Sequence, residues 1–300
     1  MGNAMSSSAC SICGGRLGRV LLQITMPDRF ERHVGIVSDG YVRRWVECKG
    51  CGTAANVHAP ENLEKLATIA AGYYEVDFKS SSITDKYRKV MSLPCSQSDN
   101  AHRVVRIIDF LRAWQGLGLP TKPMASRVLD IGAGTGVFLS KFLQETRKEP
   151  WDWTGMAVEP DPVAAEHLRS LGLFEVTQSI FSASLGLAGF DLCTLNKVVE
   201  HLPDPASLLH QVSCALSQNG LLYVEVPDKL TVFHRSPDDN ILGALHHHLY
   251  TIEGLTVLCG VAGFVPIHID RIFEPSGKIT LAAIAVTTKA ADMLATRRGQ

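Results

Sequence analysis

The chain of 300 residues has no uninterrupted apolar run long enough to cross a membrane, which would need about 18 residues. Its first residues, MGNAMSSSAC, lack the charged-then-apolar pattern of a secretory signal. Neither sign of charge dominates, because 29 basic and 30 acidic residues leave a formal net charge of −1. No global field therefore attracts nucleic acid or an anionic membrane. These absences predict a cytoplasmic protein without a membrane partner.

The low proportions of charged residues and of cysteine further limit the class of protein. Only 20% of the residues are charged while 46% are apolar, which excludes wholesale disorder. Eight cysteines in 300 residues are too sparse for a disulfide scaffold. Residues 1–60 carry no basic stripe interleaved with aromatic side chains, which argues against nucleic acid as a partner. The length predicts about two domains, and the sequence gives no indication of the oligomeric state.

The sequence pattern divides the chain into three parts. Residues 1–60 hold two cysteine pairs with short β-like runs between them, one of which is Val34–Val37. Residues 61–125 have helical periodicity and end in a Gly- and Pro-rich linker at Leu117–Pro123. From residue 126 to residue 300, apolar strands alternate with amphipathic helices. This alternation predicts an α/β domain with helices on both faces of its sheet.

A glycine-rich turn gives the strongest functional signal. In Arg127–Leu139, RVLDIGAGTGVFL, an apolar strand leads into Gly132, Gly134 and Gly136 and then into an amphipathic helix. Glycines permit a tight turn and let a ligand approach where a Cβ would collide. In an open α/β sheet such a turn lies at the carboxyl ends of the strands, where cofactors bind. We therefore expect a cofactor at this turn.

Two acids beside the turn distinguish between cofactors. A dinucleotide fold has the spacing G-x-G-x-x-G and holds pyrophosphate, whereas this spacing is G-x-G-x-G with Asp130 just before it. A carboxylate there repels pyrophosphate but suits the ammonium group of S-adenosylmethionine (SAM), which carries no phosphate. Glu159 ends the next strand and can accept hydrogen bonds from two ribose hydroxyls. We predict SAM as the cofactor, with a dehydrogenase as the weakest alternative.

Four segments resemble, in the same order, the motifs of class I SAM-dependent methyltransferases: Val128–Gly136, Val158-Glu159-Pro160, Phe190–Pro205 and Gly220–Asp228. The resemblance implies a Rossmann-like, seven-stranded sheet and a SAM-binding domain over 126–300. It also implies cofactor contacts from the three turn glycines and from Asp130, Glu159, Pro160, Asn196 and His201. Asn196 and His201 have an alternative role as caps of the segment after the fourth strand. The adenine contact would come from Gln178, Ser179 or the backbone near Ile180.

The two cysteine pairs predict a metal site. Cys10 and Cys13 form one C-x2-C pair, Cys48 and Cys51 form a second, and a glycine follows each pair. Two such knuckles brought together give four thiolates around one ion, a donor set typical of structural zinc. We predict a zinc-ribbon-like domain over 1–60. The alternatives are reduced, unliganded cysteines or a single redox pair.

A zinc-ribbon domain, a helical segment and a SAM fold together resemble the zinc-containing sugar methyltransferases, including C-methyltransferases. The pattern after their fifth strand is similar to Glu225-Val226-Pro227-Asp228, followed by His246-His247-His248, Tyr250 and Thr251, although His247 stands where that family has Glu. The resemblance implies a sugar-like or nucleotide-linked small-molecule acceptor. It also implies that His248 is the general base, assisted by His246 and Tyr250, with Tyr73 or Tyr74 reaching in from the helical segment.

Other functions are compatible with the same residues. The zinc ribbon could hold RNA in an RNA methyltransferase, in which case binding would depend strongly on salt. The chain could also be a SAM-binding or zinc-binding interaction module without catalysis. Such a module would bind SAM, and no acceptor would take up its methyl group.

Overall fold

The structure is a computed structural model, and it describes residues 9–71, 82–116 and 126–297. A seven-stranded sheet forms the centre of the molecule. Its strands are β4 (Ser126–Ile131), β5 (Trp153–Val158), β6 (Glu175–Thr177), β7 (Phe190–Asn196), β8 (Leu216–Pro227), β10 (Phe264–Phe273) and β11 (Ile279–Thr287). Their spatial order is β10-β11-β8-β7-β4-β5-β6.

The direction of the strands places the glycine-rich turn. Strands β4 to β8 are parallel, whereas β11 pairs antiparallel with both β8 and β10. The chain runs from β4 outward to β6 and then returns to β7 on the other side of β4. The order therefore reverses beside β4, which is the place where open α/β sheets bind ligands.

Helices cover both faces of this sheet, as the alternation of strands and helices predicts. The described α-helices are α1 (Arg29–His33), α2 (Pro60–Leu66), α3 (Ile83–Met91), α4 (Asp99–Gly116), α5 (Val137–Thr146), α6 (Pro162–Leu171), α7 (Pro205–Val212), α8 (Thr231–His234), α9 (Ile252–Val261) and α10 (Thr288–Arg297). Along β4, Val128 packs in one core with α4, α5 and α6, while Leu129 packs in another with α7 and α9. Neighbouring strand residues point to opposite faces, so one strand contributes to both cores.

A second, four-stranded sheet combines N-terminal residues with a distant segment. Its order is β1 (Leu17–Ile24), β2 (Arg43–Cys48), β3 (Ala54–Val57) and β9 (His248–Leu249). Strand β9 pairs antiparallel with β3, with Ala55 opposite His248. A third apolar core lies on this sheet and includes Trp45, Leu66, Leu242 and Leu249.

One local expectation was wrong. Val34–Val37 is a turn instead of a strand, and helix α1 precedes it. Asp28 begins this helix with a capping box, in which the Glu31 carboxylate accepts a hydrogen bond from the Asp28 backbone N–H. Gly35, with φ of +76°, then ends the helical turn. The linker predicted at Leu117–Pro123 lies outside the described residues.

Among the described residues no helix is both long and apolar enough to cross a bilayer.

Candidate active site

The glycine-rich turn joins β4 to α5 in a conformation that requires glycine. Gly132, Gly134 and Gly136 have φ values of +72°, +55° and +74°, in the left-handed region that other residues avoid. A Cβ on Gly132 would lie 2.6 Å from Cγ2 of Val198. The turn therefore packs directly against the segment that follows β7.

Asp130 lies at the carboxyl end of β4 and is 1% exposed. Its Oδ1 accepts hydrogen bonds from Thr194 Oγ1 at 2.7 Å and from Asn196 Nδ2 at 3.0 Å. Burial raises the pKa of Asp130 to about 7, although both hydrogen bonds favour the ionised form. A bound cation near this carboxylate would lower the pKa again, so the site is suited to a positive ligand.

Glu159 ends β5 on the other side of the turn and is 4% exposed. Its Oε2 accepts a hydrogen bond from the backbone N–H of Gly134 at 2.8 Å, and its Oε1 accepts one from Asp161 at 3.0 Å. Burial raises the pKa of Glu159. Pro160 follows on the exposed side, and Asp161 caps helix α6. The two predicted acids thus flank one turn.

A network of buried charges lies beside Asp130. Glu225 on β8 is fully buried and accepts hydrogen bonds from Nε and Nη2 of Arg103 on α4. Burial alone would raise the pKa of Glu225, but Arg103 and Lys197 hold it well below its usual range. Lys197 has a φ of +61° and donates a hydrogen bond to Thr280 Oγ1 at 2.7 Å. The network connects the end of β7 to β8, β11 and α4.

The other predicted cofactor residues lie at the same edge of the sheet. Asn196 donates to Asp130 through Nδ2, and its Oδ1 is buried without a hydrogen-bond partner. The three adenine candidates follow β6, where the side chain of Gln178 accepts a hydrogen bond from Arg169 at 3.3 Å. Ile180 is 74% exposed. Their contact with adenine stays a prediction.

The consecutive residues His246, His247 and His248, here called the histidine run, lie in more than one environment. His248 lies in β9, and its Nε2 is 2.8 Å from the hydroxyl of Ser11 in the first cysteine knuckle. Tyr250 is fully buried, and its hydroxyl donates to the Val199 carbonyl at 3.5 Å. His246 lies against His201 instead, with the ring centroids 4.5 Å apart. Tyr73 and Tyr74 fall outside the described residues.

The four N-terminal cysteines converge, as their spacing predicts. Their Sγ atoms lie within 4.8 Å of one another, with Cys10 3.9 Å from Cys51 and Cys13 3.5 Å from Cys48. Four thiolates at about 2.3 Å from one ion are separated by about 3.8 Å. The backbone N–H groups of Gly15 and Gly50 also donate to Cys13 and Cys48. This donor set fits a tetrahedral zinc ion.

The comparison with known proteins agrees with this architecture. A family model described as a methyltransferase domain matches residues 97–269, which is more than half of the chain. The chain belongs to the methyltransferase domain family. The methyltransferase domain match begins before α4 and reaches into β10, so it includes the glycine turn and both acids.

Two curated relatives match parts of the methyltransferase domain. A ubiquinone biosynthesis O-methyltransferase from Histophilus somni (strain 2336) is 33% identical over 106 residues, which are 32% of this chain and 43% of that protein. A probable S-adenosylmethionine-dependent methyltransferase from Mycobacterium tuberculosis (strain CDC 1551 / Oshkosh) is 29% identical over 153 residues, 50% of this chain and 53% of that protein. The chain spans about half the length of these relatives.

A solved structure shares the fold. The crystal structure of Burkholderia thailandensis 1,6-didemethyltoxoflavin-N1-methyltransferase, with 1,6-didemethyltoxoflavin and S-adenosylhomocysteine bound, has a TM-score of 0.50 to this chain. The two proteins are 19% identical, and the match covers 82% of this chain and 96% of the other. The expected class I methyltransferase fold is confirmed for the methyltransferase domain.

Several residues at the site were not predicted from the sequence. Thr194 gives no signal because it lies inside an apolar strand. Arg103 does give one, since it precedes Ile107 by one helical turn and so interrupts the apolar face of α4. Glu200 stands directly before the predicted His201, and its complete burial is visible only in the fold.

Proposed function

We propose that this protein transfers a methyl group from SAM to a small-molecule acceptor. The observation that carries the proposal is the pair of buried carboxylates, Asp130 and Glu159, on either side of the turn between β4 and α5. Two carboxylates flank the turn, and the turn itself carries no basic side chain. This charge distribution suits a cationic nucleoside better than a pyrophosphate. The family match and the relative named for SAM-dependent methylation support this cofactor.

The two acids have different tasks in the proposed complex. Asp130 is deep in the sheet and compensates the ammonium group of SAM, directly or through the Asn196 amide that it holds. Glu159 can accept hydrogen bonds from both ribose hydroxyls, and its present bond to Gly134 N–H keeps it turned toward the glycine loop. The adenine ring then extends past β6 toward Gln178.

The transfer itself is an in-line displacement. A lone pair of the acceptor attacks the methyl carbon, the carbon–sulfur bond breaks, and its electron pair stays on sulfur to give S-adenosylhomocysteine. The sulfonium charge already activates the methyl group, so alignment of the two reactants supplies much of the acceleration. The protein must hold the acceptor in front of the sulfur and remove its proton.

His248 is the proposed base for that proton. Burial lowers the pKa of His248 to about 3, so the imidazole is neutral at physiological pH, and a bound acceptor must raise this pKa for His248 to act as the base. Its Nδ1 is buried without a hydrogen-bond partner, while Nε2 faces the Ser11 hydroxyl. His246 and Tyr250 are the proposed assisting residues.

The proposed acceptor is sugar-like or nucleotide-linked. Support comes from the order of a four-cysteine region, a helical segment and a methyltransferase domain, which resembles zinc-containing sugar methyltransferases. The relative named for ubiquinone biosynthesis also supports a small molecule as the acceptor. The proposed zinc ion at the four cysteines is structural, because four thiolates leave no open position for a substrate.

Calorimetric titration tests the cofactor. We expect S-adenosylhomocysteine to bind with a stoichiometry of one per chain and NAD to give no heat. Asp130→Asn should weaken the binding of S-adenosylhomocysteine, and Asp109→Asn on the exposed side of α4 is the matched control. Tight binding of NAD without binding of S-adenosylhomocysteine would overturn the proposal. Transfer of labelled methyl from SAM to a panel of sugar nucleotides then tests the acceptor.

A further inference from the structure

A second group of metal-ligating side chains lies apart from the four cysteines. Glu200 and His201 belong to a single 3-10 turn after β7, and His246 comes from the loop before β9. One ligand atom from each of the three side chains lies within 4.8 Å of the others. The fold thus brings together two imidazoles and one carboxylate from segments distant in sequence.

The hydrogen bonds of the two imidazoles fix their protonation. His201 Nδ1 is 3.0 Å from the Leu245 carbonyl oxygen, and His246 Nδ1 is 2.7 Å from that of Ile241. A carbonyl oxygen only accepts, so Nδ1 carries the proton in both rings and Nε2 carries the lone pair. Metal-binding histidines have this arrangement, in which a backbone carbonyl orients the ring.

Glu200 supplies an independent reason to expect a ligand. It is 1% exposed, and its Oε2 is buried without a hydrogen-bond partner. A buried carboxylate oxygen without a partner is costly, and such groups are rare in folded proteins. A cation between Glu200 and the two rings would satisfy this oxygen.

We propose that Glu200, His201 and His246 bind a divalent transition-metal cation. Two nitrogens and one carboxylate oxygen are a donor set for zinc or iron(II), whereas magnesium and calcium favour oxygen ligands. Three protein ligands also leave a coordination position open, unlike the four cysteines. This assignment gives His201 and His246 a role other than the cofactor contact and the assistance to His248 described above.

The proposed ion lies next to the cofactor crevice. Val198, two residues before Glu200, packs on Gly132 of the glycine turn. The backbone of His247 donates to the Glu200 carbonyl at 2.6 Å, so the turn after β7 is joined to the histidine run. In this proposal, the open coordination position takes a water molecule or an oxygen of the acceptor. Metal binding itself does not depend on the proposed methyl transfer.

Metal content of the full-length protein tests the proposal. We expect two equivalents per chain after the chelated, reduced protein is reloaded with zinc and desalted. His246→Asn keeps a donor near Nδ1 but removes Nε2, and it should leave one equivalent. Glu200→Gln should also leave one zinc equivalent, because the second site then binds zinc at least about tenfold more weakly. His247→Asn is the matched control and should keep both.

The results separate the two metal sites and the two proposals. Cys48→Ser should lose the thiolate-bound equivalent and keep the other, which cobalt(II) spectra distinguish because only the first has sulfur ligands. One equivalent in the reloaded wild type, or two in both His246→Asn and Glu200→Gln, would overturn the second site. Binding of S-adenosylhomocysteine by each variant shows that it is folded. If the wild type did not bind S-adenosylhomocysteine, the proposed methyl transfer would be overturned and the metal result would stand.

Discussion

At the scale of single residues, burial decides which protonation state each group brings to the crevice. Asp130 and Glu200 both have a pKa raised to about 7 by burial, so their charge varies near neutrality. Glu225 is equally buried but remains charged, because Arg103 donates to it through two nitrogens. A bound ligand can therefore change the protonation state of Asp130 and Glu200, whereas Glu225 stays ionised.

The pKa of Asp130 predicts pH-dependent cofactor binding. A positive ligand binds the ionised carboxylate, so affinity for S-adenosylhomocysteine should rise with pH and level off above pH 7. The limiting slope below the pKa is about tenfold per pH unit for one proton. Calorimetric titrations between pH 5.5 and 7.5 measure it, and Asp130→Asn should flatten the profile. An equally steep profile in Asp130→Asn would assign the proton to another group.

Replacement of His248 tests the proposed base. Glutamine can keep the contact with Ser11, since its amide nitrogen reaches the position of Nε2. We expect His248→Gln to lower turnover by about 100-fold or more and to leave the affinity for S-adenosylhomocysteine unchanged. His247→Gln is the matched control from the same histidine run. Full turnover of His248→Gln with an authentic acceptor would exclude His248 as the base.

At the scale of secondary-structure elements, the turn between β4 and α5 combines positive φ values with close packing against Val198. Gly132→Ala combines a strained φ of +72° with a Cβ only 2.6 Å from Val198. We expect it to lower the free energy of unfolding by about 1–3 kcal/mol and to weaken cofactor binding. Denaturant titration and calorimetry measure the two effects.

Gly260→Ala in α9 is the control for this substitution. Gly260 is exposed, and its added Cβ would meet nothing within 4 Å. Alanine in a helix is favoured over glycine by up to about 1 kcal/mol, so the control should be neutral or stabilising. If Gly132→Ala were as stable as this control and bound the cofactor normally, the turn would tolerate a side chain.

Elements with local signals were predictable from the sequence, and those that depend on distant partners were not. Helix α7 begins at Pro205 with Asp204 as its N-cap, and both residue types are local signals for the start of a helix. Strand β9 has only two residues, and its partner β3 lies far back in the chain. No periodicity reveals such a strand. The pairing of Arg103 with Glu225 likewise joins residues 122 positions apart.

At the scale of the whole molecule, the cysteine knuckles form part of the main core. Cys10, Cys48 and Cys51 pack in one cluster with residues of the large sheet and of α9. The hydroxyl of Thr251, the N-cap of α9, donates to the Cys51 carbonyl at 2.6 Å. Unfolding of the knuckles should therefore destabilise helix α9, which follows the histidine run.

Removal of zinc is expected to destabilise this region. Metal binding to four thiolates contributes folding free energy, because the unfolded chain does not bring the four cysteines together. Cleavage by a protease should become faster in residues 1–60 after chelation, and zinc should restore resistance. Cys214→Ser, at an exposed single cysteine, is the control for thiol loss and should behave as wild type. A chelated protein that stays resistant in 1–60 would contradict this expectation.

The pairing of β9 with β3 has a consequence for engineering. Arg43 and Asn56 also donate hydrogen bonds to the backbone carbonyls of Leu242 and His246, so the segment before β9 depends on N-terminal residues for its position. A truncated protein that starts after residue 60 would expose an unpaired strand edge and the apolar surface beneath Trp45. The N-terminal sheet therefore shares a strand and an apolar core with the segment that carries the histidine run, and it cannot be exchanged as a detachable module.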